Sequence, residues 1–307
     1  MTHAVGIRTY QIFITRKKIH DFVQLDDSEL KTSFGEFVEK FILDRSVSTN
    51  HQEHEKSWGI IEKKQGTGGN SRGLISYGRY GYAASLRDAN TGVENYKRKR
   101  SDAETLNLYY QFWLPDDEKF ALAAFSSFSG RSCISLIFEQ MKSAFESVNP
   151  DFLLKFHRLM PSGTSEKLYA GKPVKSLTLV TRRPPRDLAD ALFRGRTQKV
   201  GQMTLKISSS RNGNLGILSD LIDGLPSDSS NVILYEGIEF EQATASIKIG
   251  DEVRPVGVFG AHSDVGVIDV TESVIKDEEG VPTFESLEAE ANKILKVIYE
   301  TLNGQEK

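Results

Sequence analysis

The sequence predicts an α+β fold, a mainly antiparallel sheet flanked by helices. Two observations carry that expectation. Segments with the alternation of half-buried strands outnumber those with helical spacing, and most follow one another directly instead of alternating with helices. The stretch from Leu106 to Val148 then shows how the elements join. Leu106, Leu108, Tyr110, Phe112 and Leu114 alternate with Asn107, Tyr109, Gln111 and Trp113, and Pro115-Asp116-Asp117-Glu118 turns the chain. Phe120, Leu122, Ala124, Ser126 and Phe128 repeat the alternation, which predicts a hairpin with one face of each strand on a core. After Ser129-Gly130-Arg131-Ser132, the residues Ile134, Ile137, Phe138, Met141, Phe145 and Val148 fall on one side of a helix that Asn149-Pro150 stops.

The remaining elements follow in order. Ile7 to Thr15 reads as a first strand, with Arg16-Lys17-Lys18 as its solvated end. Asp26 and Glu29 have the spacing of a capping box ahead of Leu30, Phe34, Phe37, Val38, Phe41 and Ile42, a helical stripe. Trp58 to Glu62 is a strand, Gln65 to Gly73 a glycine-rich loop, and Leu74 to Leu86 one long strand. Asp88-Ala89-Asn90-Thr91-Gly92 is a turn signal, with Val93 to Tyr96 returning. Phe152 to Leu159 is a further strand.

A second half begins with a strand from Val174 to Thr181. Pro184-Pro185 suits the first turn of a helix bearing Leu188, Ala189, Leu192 and Phe193. Val200 to Ile207 is a strand and Leu215 to Ile222 a short helix. Asn231 to Phe240, Ala243 to Ile249, Arg254 to Phe259 and Val265 to Val270 are four strands, Gly250-Asp251 being one explicit turn. Thr283 caps a last helix with the stripe Phe284, Leu287, Ala291, Ile294, Leu295, Ile298 and Leu302. At 307 residues the chain accommodates about two domains, read as an α+β domain over 1–165 with the central sheet and a second over 166–307 with the terminal helix.

Composition narrows the function classes. With 38% hydrophobic and 26% charged residues and a net charge of -3, bulk charge points to no polyanion partner, and a nucleic-acid surface would have to be a local patch. Cys133 is the single cysteine, which excludes an internal disulfide and a cysteine-rich zinc site. No window approaches 18 uninterrupted apolar residues and Met1 to Tyr10 lacks a leader pattern, so a cytoplasmic protein without a membrane span is expected. His51 and His54 stand three apart, but in a polar stretch without an apolar stripe, which reads as a linker and not as a zinc site.

Three constellations carry chemistry. At Ser129-Gly130-Arg131-Ser132 a helix amino end and Arg131 together suit a phosphate, although every helix needs some cap there. The second is a nucleic-acid surface. Arg79 lies among Tyr77, Tyr80 and Tyr82, and Lys97, Arg98, Lys99 and Arg100 form a basic tetrad. Arg182, Arg183, Arg186, Arg194 and Arg196 cluster around the short helix of the second half, and such runs also serve simply to keep sheet edges soluble. The third is a magnesium-dependent nuclease or phosphodiesterase. Glu62 and Lys64 imitate the acid-x-lysine step of restriction-type nucleases, while Asp264, Asp269 and Glu272, near His262, supply carboxylates beside two strands. Each group is incomplete as a motif. The expectation is therefore binding of nucleic acid or another phosphate-bearing ligand with no cofactor. Nuclease chemistry with magnesium is one alternative, and a protein-interaction subunit, in which the arginines meet an acidic partner, is the other.

In Phe125-Ser126-Ser127-Phe128-Ser129-Gly130-Arg131-Ser132, in Arg182-Arg183-Pro184-Pro185-Arg186-Asp187-Leu188-Ala189 and in the closing strand-strand-helix unit, the chain resembles uncharacterised bacterial proteins associated with phage defence. The resemblance is one of layout over most of the length and carries no catalytic residue. It implies a prokaryotic cytoplasmic protein that acts on nucleic acid with the product of a neighbouring gene. Apart from the resemblance, a homo-oligomer is compatible with the sequence.

Overall fold

A computed structural model describes residues 3–19, 21–46, 49–51, 55–66, 70–116, 118–159, 167–182, 201–224, 232–261 and 265–305. The fold is α+β, with a large antiparallel sheet, small extra sheets and few helices. Its residues group into two units, neither continuous in sequence. The first comprises Met1–Tyr10, His157–Lys276 and Ala289–Lys307, the second Gln11–Phe156 and Asp277–Glu288.

The second unit holds the later part of β1 (Val5–Arg16), then β2 (Phe22–Val23), α1 (Phe34–Asp44), β3 (Thr49–His51), β4 (Lys56–Gln65) and β5 (Ser71–Arg79). A separate hairpin, β6 (Ala84–Arg87) and β7 (Glu94–Arg98), follows, and then β8 (Glu104–Trp113), β9 (Phe120–Phe128), α2 (Ile134–Val148) and most of β10 (Phe152–Arg158). The strand order is β1-β9-β8-β5-β4-β3. Helix α1 does not open at Asp26. Asp27 and Glu29 are used in a turn, with Glu29 N-H donating to Asp27 Oδ1 (2.9 Å) and Glu29 paired to Arg16 at 3.0 Å. The cap is Ser33, whose hydroxyl accepts from Glu36 N while Glu36 reaches back to Ser33 N, a complete capping box. The apolar stripe Phe34, Phe37, Val38, Phe41 and Ile42 is then buried, and Phe37 meets Phe145 of α2 edge-on at 5.1 Å.

The β8–β9 hairpin forms as its alternation predicts, but its register corrects the assignment of faces. Tyr110 pairs with Phe125 and Phe112 with Ala123, so the even residues of β8 share a face with the odd residues of β9. The two expected apolar stripes therefore lie on opposite faces, and both faces are buried. On one, Phe125 packs edge-on against Phe112 (5.6 Å) and against Phe138 of α2 (5.4 Å). On the other, Tyr109 meets Phe284 at 5.5 Å. That face tolerates burial because its polar atoms satisfy one another. Tyr109 Oη donates to Gln111 Oε1 (3.0 Å), and Tyr109 N donates to the Ser126 hydroxyl (2.7 Å).

The expected long strand from Leu74 to Leu86 is two strands. It breaks at Gly81, whose φ of +102° an L side chain rarely adopts and where a Cβ would fall 2.2 Å from the Glu55 carboxylate carbon. The chain beyond it leaves the main sheet, and β6 pairs with β7 alone.

The first unit contains α3 (Lys167–Ala170), β11 (Val174–Thr181), β12 (Met203–Ser208), α4 (Leu218–Asp223), β13 (Ile233–Tyr235), β14 (Ile238–Phe240), β15 (Gln242–Ile249), β16 (Glu252–Phe259), β17 (Ile268–Asp269) and most of α5 (Phe284–Gln305). Strand order is β12-β11-β15-β16-β17-β1. Asn231 to Phe240 is not one strand, since Glu236 and Gly237, both at positive φ, turn it into the hairpin β13–β14. Of Val265 to Val270 only Ile268–Asp269 is strand. The Gly250-Asp251 turn stands, with Ile249 opposite Glu252. Thr283 caps α5, its hydroxyl accepting from Ser286 N at 3.4 Å. Arg254 of β16 is buried against Glu290 of α5, and Glu252 and Lys293 complete the cluster, Lys293 Nζ lying 2.9 Å from Glu290 and 3.2 Å from Glu252. The helix expected after Pro184-Pro185 lies outside the described residues.

Candidate nucleic-acid interface

The β6–β7 hairpin is an arm, and its order comes from polar anchors at both ends. At the tip, Asp88 Oδ1 accepts from Asn90 N (2.9 Å), Thr91 N (2.7 Å) and the Thr91 hydroxyl (3.0 Å), an aspartate turn whose bonds, those from Thr91 first, lower its carboxyl pKa. At the root, Gly81 N donates to Arg100 O (2.8 Å) and Arg100 Nε donates to Gly81 O (3.0 Å). Arg98, only 4% exposed, donates from Nη2 to Arg79 O and from Nε to Asp102 O (3.0 Å), and its Nη1 lies 3.5 Å from Glu104. A buried guanidinium is tolerable only with such acceptors, so Arg98 holds the arm to its root.

Cross-strand register sets the faces. Leu86 stands opposite Tyr96 and Ala84 opposite Arg98, while Ser85 pairs with Lys97 on the other side. Tyr82 lies over the Arg98 guanidinium at 4.3 Å from the ring centre, a cation–π contact. Tyr96 Oη donates to Asp102 Oδ2 at 2.5 Å, and Lys99 N donates to the same oxygen at 2.8 Å. Tyr82, Leu86 and Tyr96 nevertheless remain 49, 52 and 50% exposed, which leaves one face of the arm with two anchored rings open to solvent.

Residues 79–100 contain six cationic and two anionic side chains, an excess of four positive charges in a chain whose net charge is -3. Arg79, Arg87, Lys97, Lys99 and Arg100 are exposed. Of the tyrosines expected to stack, Tyr77 is buried in the sheet, Tyr80 is half-buried and Tyr82 is exposed. Tyr96, Leu86 and Arg87 went unread as site residues. The turn signal at Asp88 marked a hairpin there, but nothing in the sequence said that it leaves the main sheet.

Arg131 lies at the same end of β8, paired with Glu104 at 2.5 Å. The joint before α2 is a tight turn, with Ser129 at φ +48° and Gly130 at φ +76° between the mutually bonded Phe128 and Arg131. Helix α2 is capped by Cys133 without a side-chain bond, and burial pushes the Cys133 thiol up to about 12, which keeps it protonated and unreactive at neutral pH.

Each described nuclease candidate has its own local setting. Glu62 is exposed on β4. Lys64 lies 3.7 Å from Glu288 and over the Phe284 ring at 4.0 Å, with Arg72 also paired to Glu288. Asp269 Oδ1 accepts from Thr271 N (2.8 Å) in a turn, and Glu272 is exposed. Asp264 and His262 lie outside the described residues, as do Arg183, Arg186, Arg194 and Arg196, whereas Arg182 is exposed at the end of β11. Among the described residues no three His, Cys, Asp or Glu side chains gather as a metal would require, and no helix is long and apolar enough to cross a membrane. No family model matches the chain, and no curated protein is significantly similar to it.

Proposed function

We propose that this protein binds nucleic acid, or another phosphate-bearing ligand, through the β6–β7 arm. The resemblance of Phe125–Ser132, Arg182–Ala189 and the closing strand-strand-helix unit to phage-defence proteins supports a reading of that binding as part of bacterial cytoplasmic defence. One observation carries the reading. The arm and its root carry Arg79, Arg87, Lys97, Lys99 and Arg100 at exposed positions, with two solvent-facing rings on one face of the arm, in a chain that is acidic as a whole. Cations in such a patch attract a polyanion by releasing its counterions. Arg98 and Arg131 support the patch differently, Arg98 by anchoring the arm and Arg131 through Glu104.

The test is fluorescence anisotropy of labelled oligonucleotides at low and moderate salt, comparing the protein with the double variant Lys97→Glu, Lys99→Glu. These two side chains are exposed, so charge reversal spares the arm's anchors. We expect affinity to fall by roughly ten-fold or more and the salt dependence to flatten by about two phosphate contacts. Unchanged affinity in the variant, or no binding by the parent protein, overturns the reading.

A further inference from the structure

We infer that the arm is a stacking platform for single-stranded nucleic acid, in which Tyr82 and Tyr96 each take one unpaired base. The inference rests on the binding proposed above and specifies its ligand. Both rings are fixed before any ligand arrives. Tyr82 is backed on one side by the Arg98 guanidinium at 4.3 Å, and Tyr96 is held by its hydroxyl bond to Asp102 at 2.5 Å. Each nonetheless keeps about half its surface open. A ring immobilised by its rim or its back, with area left over, loses little entropy when a flat partner settles on it.

Ring chemistry selects the unpaired form. Tyr82 lies over the guanidinium of Arg98, which is two residues along β7 from Tyr96, so both rings belong to the root end of the arm. A ring stacks only on a base whose own face is uncovered, which a duplex withholds by pairing and stacking and a single strand does not. Leu86, opposite Tyr96, widens that platform with apolar surface. Lys99, whose backbone N shares the Asp102 oxygen with the Tyr96 hydroxyl, and Arg100, bonded to Gly81 beside Tyr82, adjoin the rings and would meet the phosphates that flank the stacked bases, while Lys97, on the opposite side of β7, adds charge at longer range. Because every base has a ring face, such a site has little sequence preference.

The experiment uses the full chain with a labelled single-stranded oligonucleotide, in DNA and RNA forms, and the corresponding duplexes. Tyr82→Ala, Tyr96→Ala and the ring-preserving Tyr82→Phe and Tyr96→Phe are compared by anisotropy. Removal of either ring is expected to weaken single-strand binding by roughly five- to a hundred-fold while duplex binding changes less than about two-fold. Tyr82→Phe should retain most single-strand affinity, since its stacking and its Arg98 contact need the ring and not the hydroxyl, whereas Tyr96→Phe, which loses the bond to Asp102, should fall between the parent and Tyr96→Ala. If parent protein binds duplex as tightly as single strands and the alanine variants match it, the stacking inference fails while charge-based binding stands. If no nucleic acid binds, both fail.

Discussion

Two hairpins that are adjacent in sequence, β6–β7 and β8–β9, are built in opposite ways. In β8–β9 the residues from Leu108 to Phe112 and from Phe120 to Ser127 are buried on both faces, under α2 on one side and Phe284 on the other. In β6–β7 nearly every side chain but Arg98 is exposed or half-exposed. The first is ordered by packing, a non-directional term proportional to the apolar area removed from water. The second has little area to remove and depends on directional bonds at Asp88, Gly81, Arg98 and Asp102. The lesson is that an exposed element can be kept in one shape by a few polar anchors, which leaves its rings and charges available to a ligand.

The comparison is broken most severely at Phe125. Replacing it by alanine removes a ring packed edge-on against two others and should cost about 3–5 kcal/mol, measured by urea unfolding. A loss below about 1 kcal/mol would mean that this hairpin is not core. Arg98→Ala is expected to cost less, about 1–3 kcal/mol, because its lost acceptors lie near solvent and can find water. Its signature is local. Amide exchange should speed up between residues 84 and 98 and stay unchanged in β8 and β9, whereas uniform acceleration would show that the arm is not a separate unit of order.

The smallest effect is that of pH on the Tyr96–Asp102 bond. The Tyr96 hydroxyl, then the Lys99 amide, holds the Asp102 carboxyl below its usual range, and the same bond raises Tyr96. A carboxylate with a depressed folded-state pKa contributes its stabilisation above its ordinary value, about 3.9, and loses it as pH falls through the lower folded value. The Tyr96 ring resonances should therefore be constant from neutral pH to about 5 and move only below about 4. Movement at higher pH would show that Asp102 is not the group that holds the ring.

Much of this architecture was legible without coordinates. The period of Leu106–Leu114 and Phe120–Phe128, the stripe of Ile134–Phe145 and the Gly250-Asp251 turn are local signals, and each became the element it predicts. The start of α1 was misplaced because Asp26/Glu29 and Ser33/Glu36 have the same spacing, and only the second pair adjoins residues that continue the helix. The arm's basic tetrad was legible as charge, but its members were not distinguishable. Burial separates Arg98, an internal anchor, from Lys97 and Lys99 beside it.

By itself, then, the sequence determined the strand or helix character of the strongly periodic stretches, such as β8, β9 and α2, because backbone preference and apolar period act over a few residues. It also determined where positive charge concentrates along the chain. Tertiary structure alone decided which faces are covered, since that depends on register between strands and on distant segments such as Phe284. It also decided that the chain leaves the main sheet at Gly81. The tyrosines and lysines beyond that point are exposed not through their own character but because, among the described residues, no other segment packs over them.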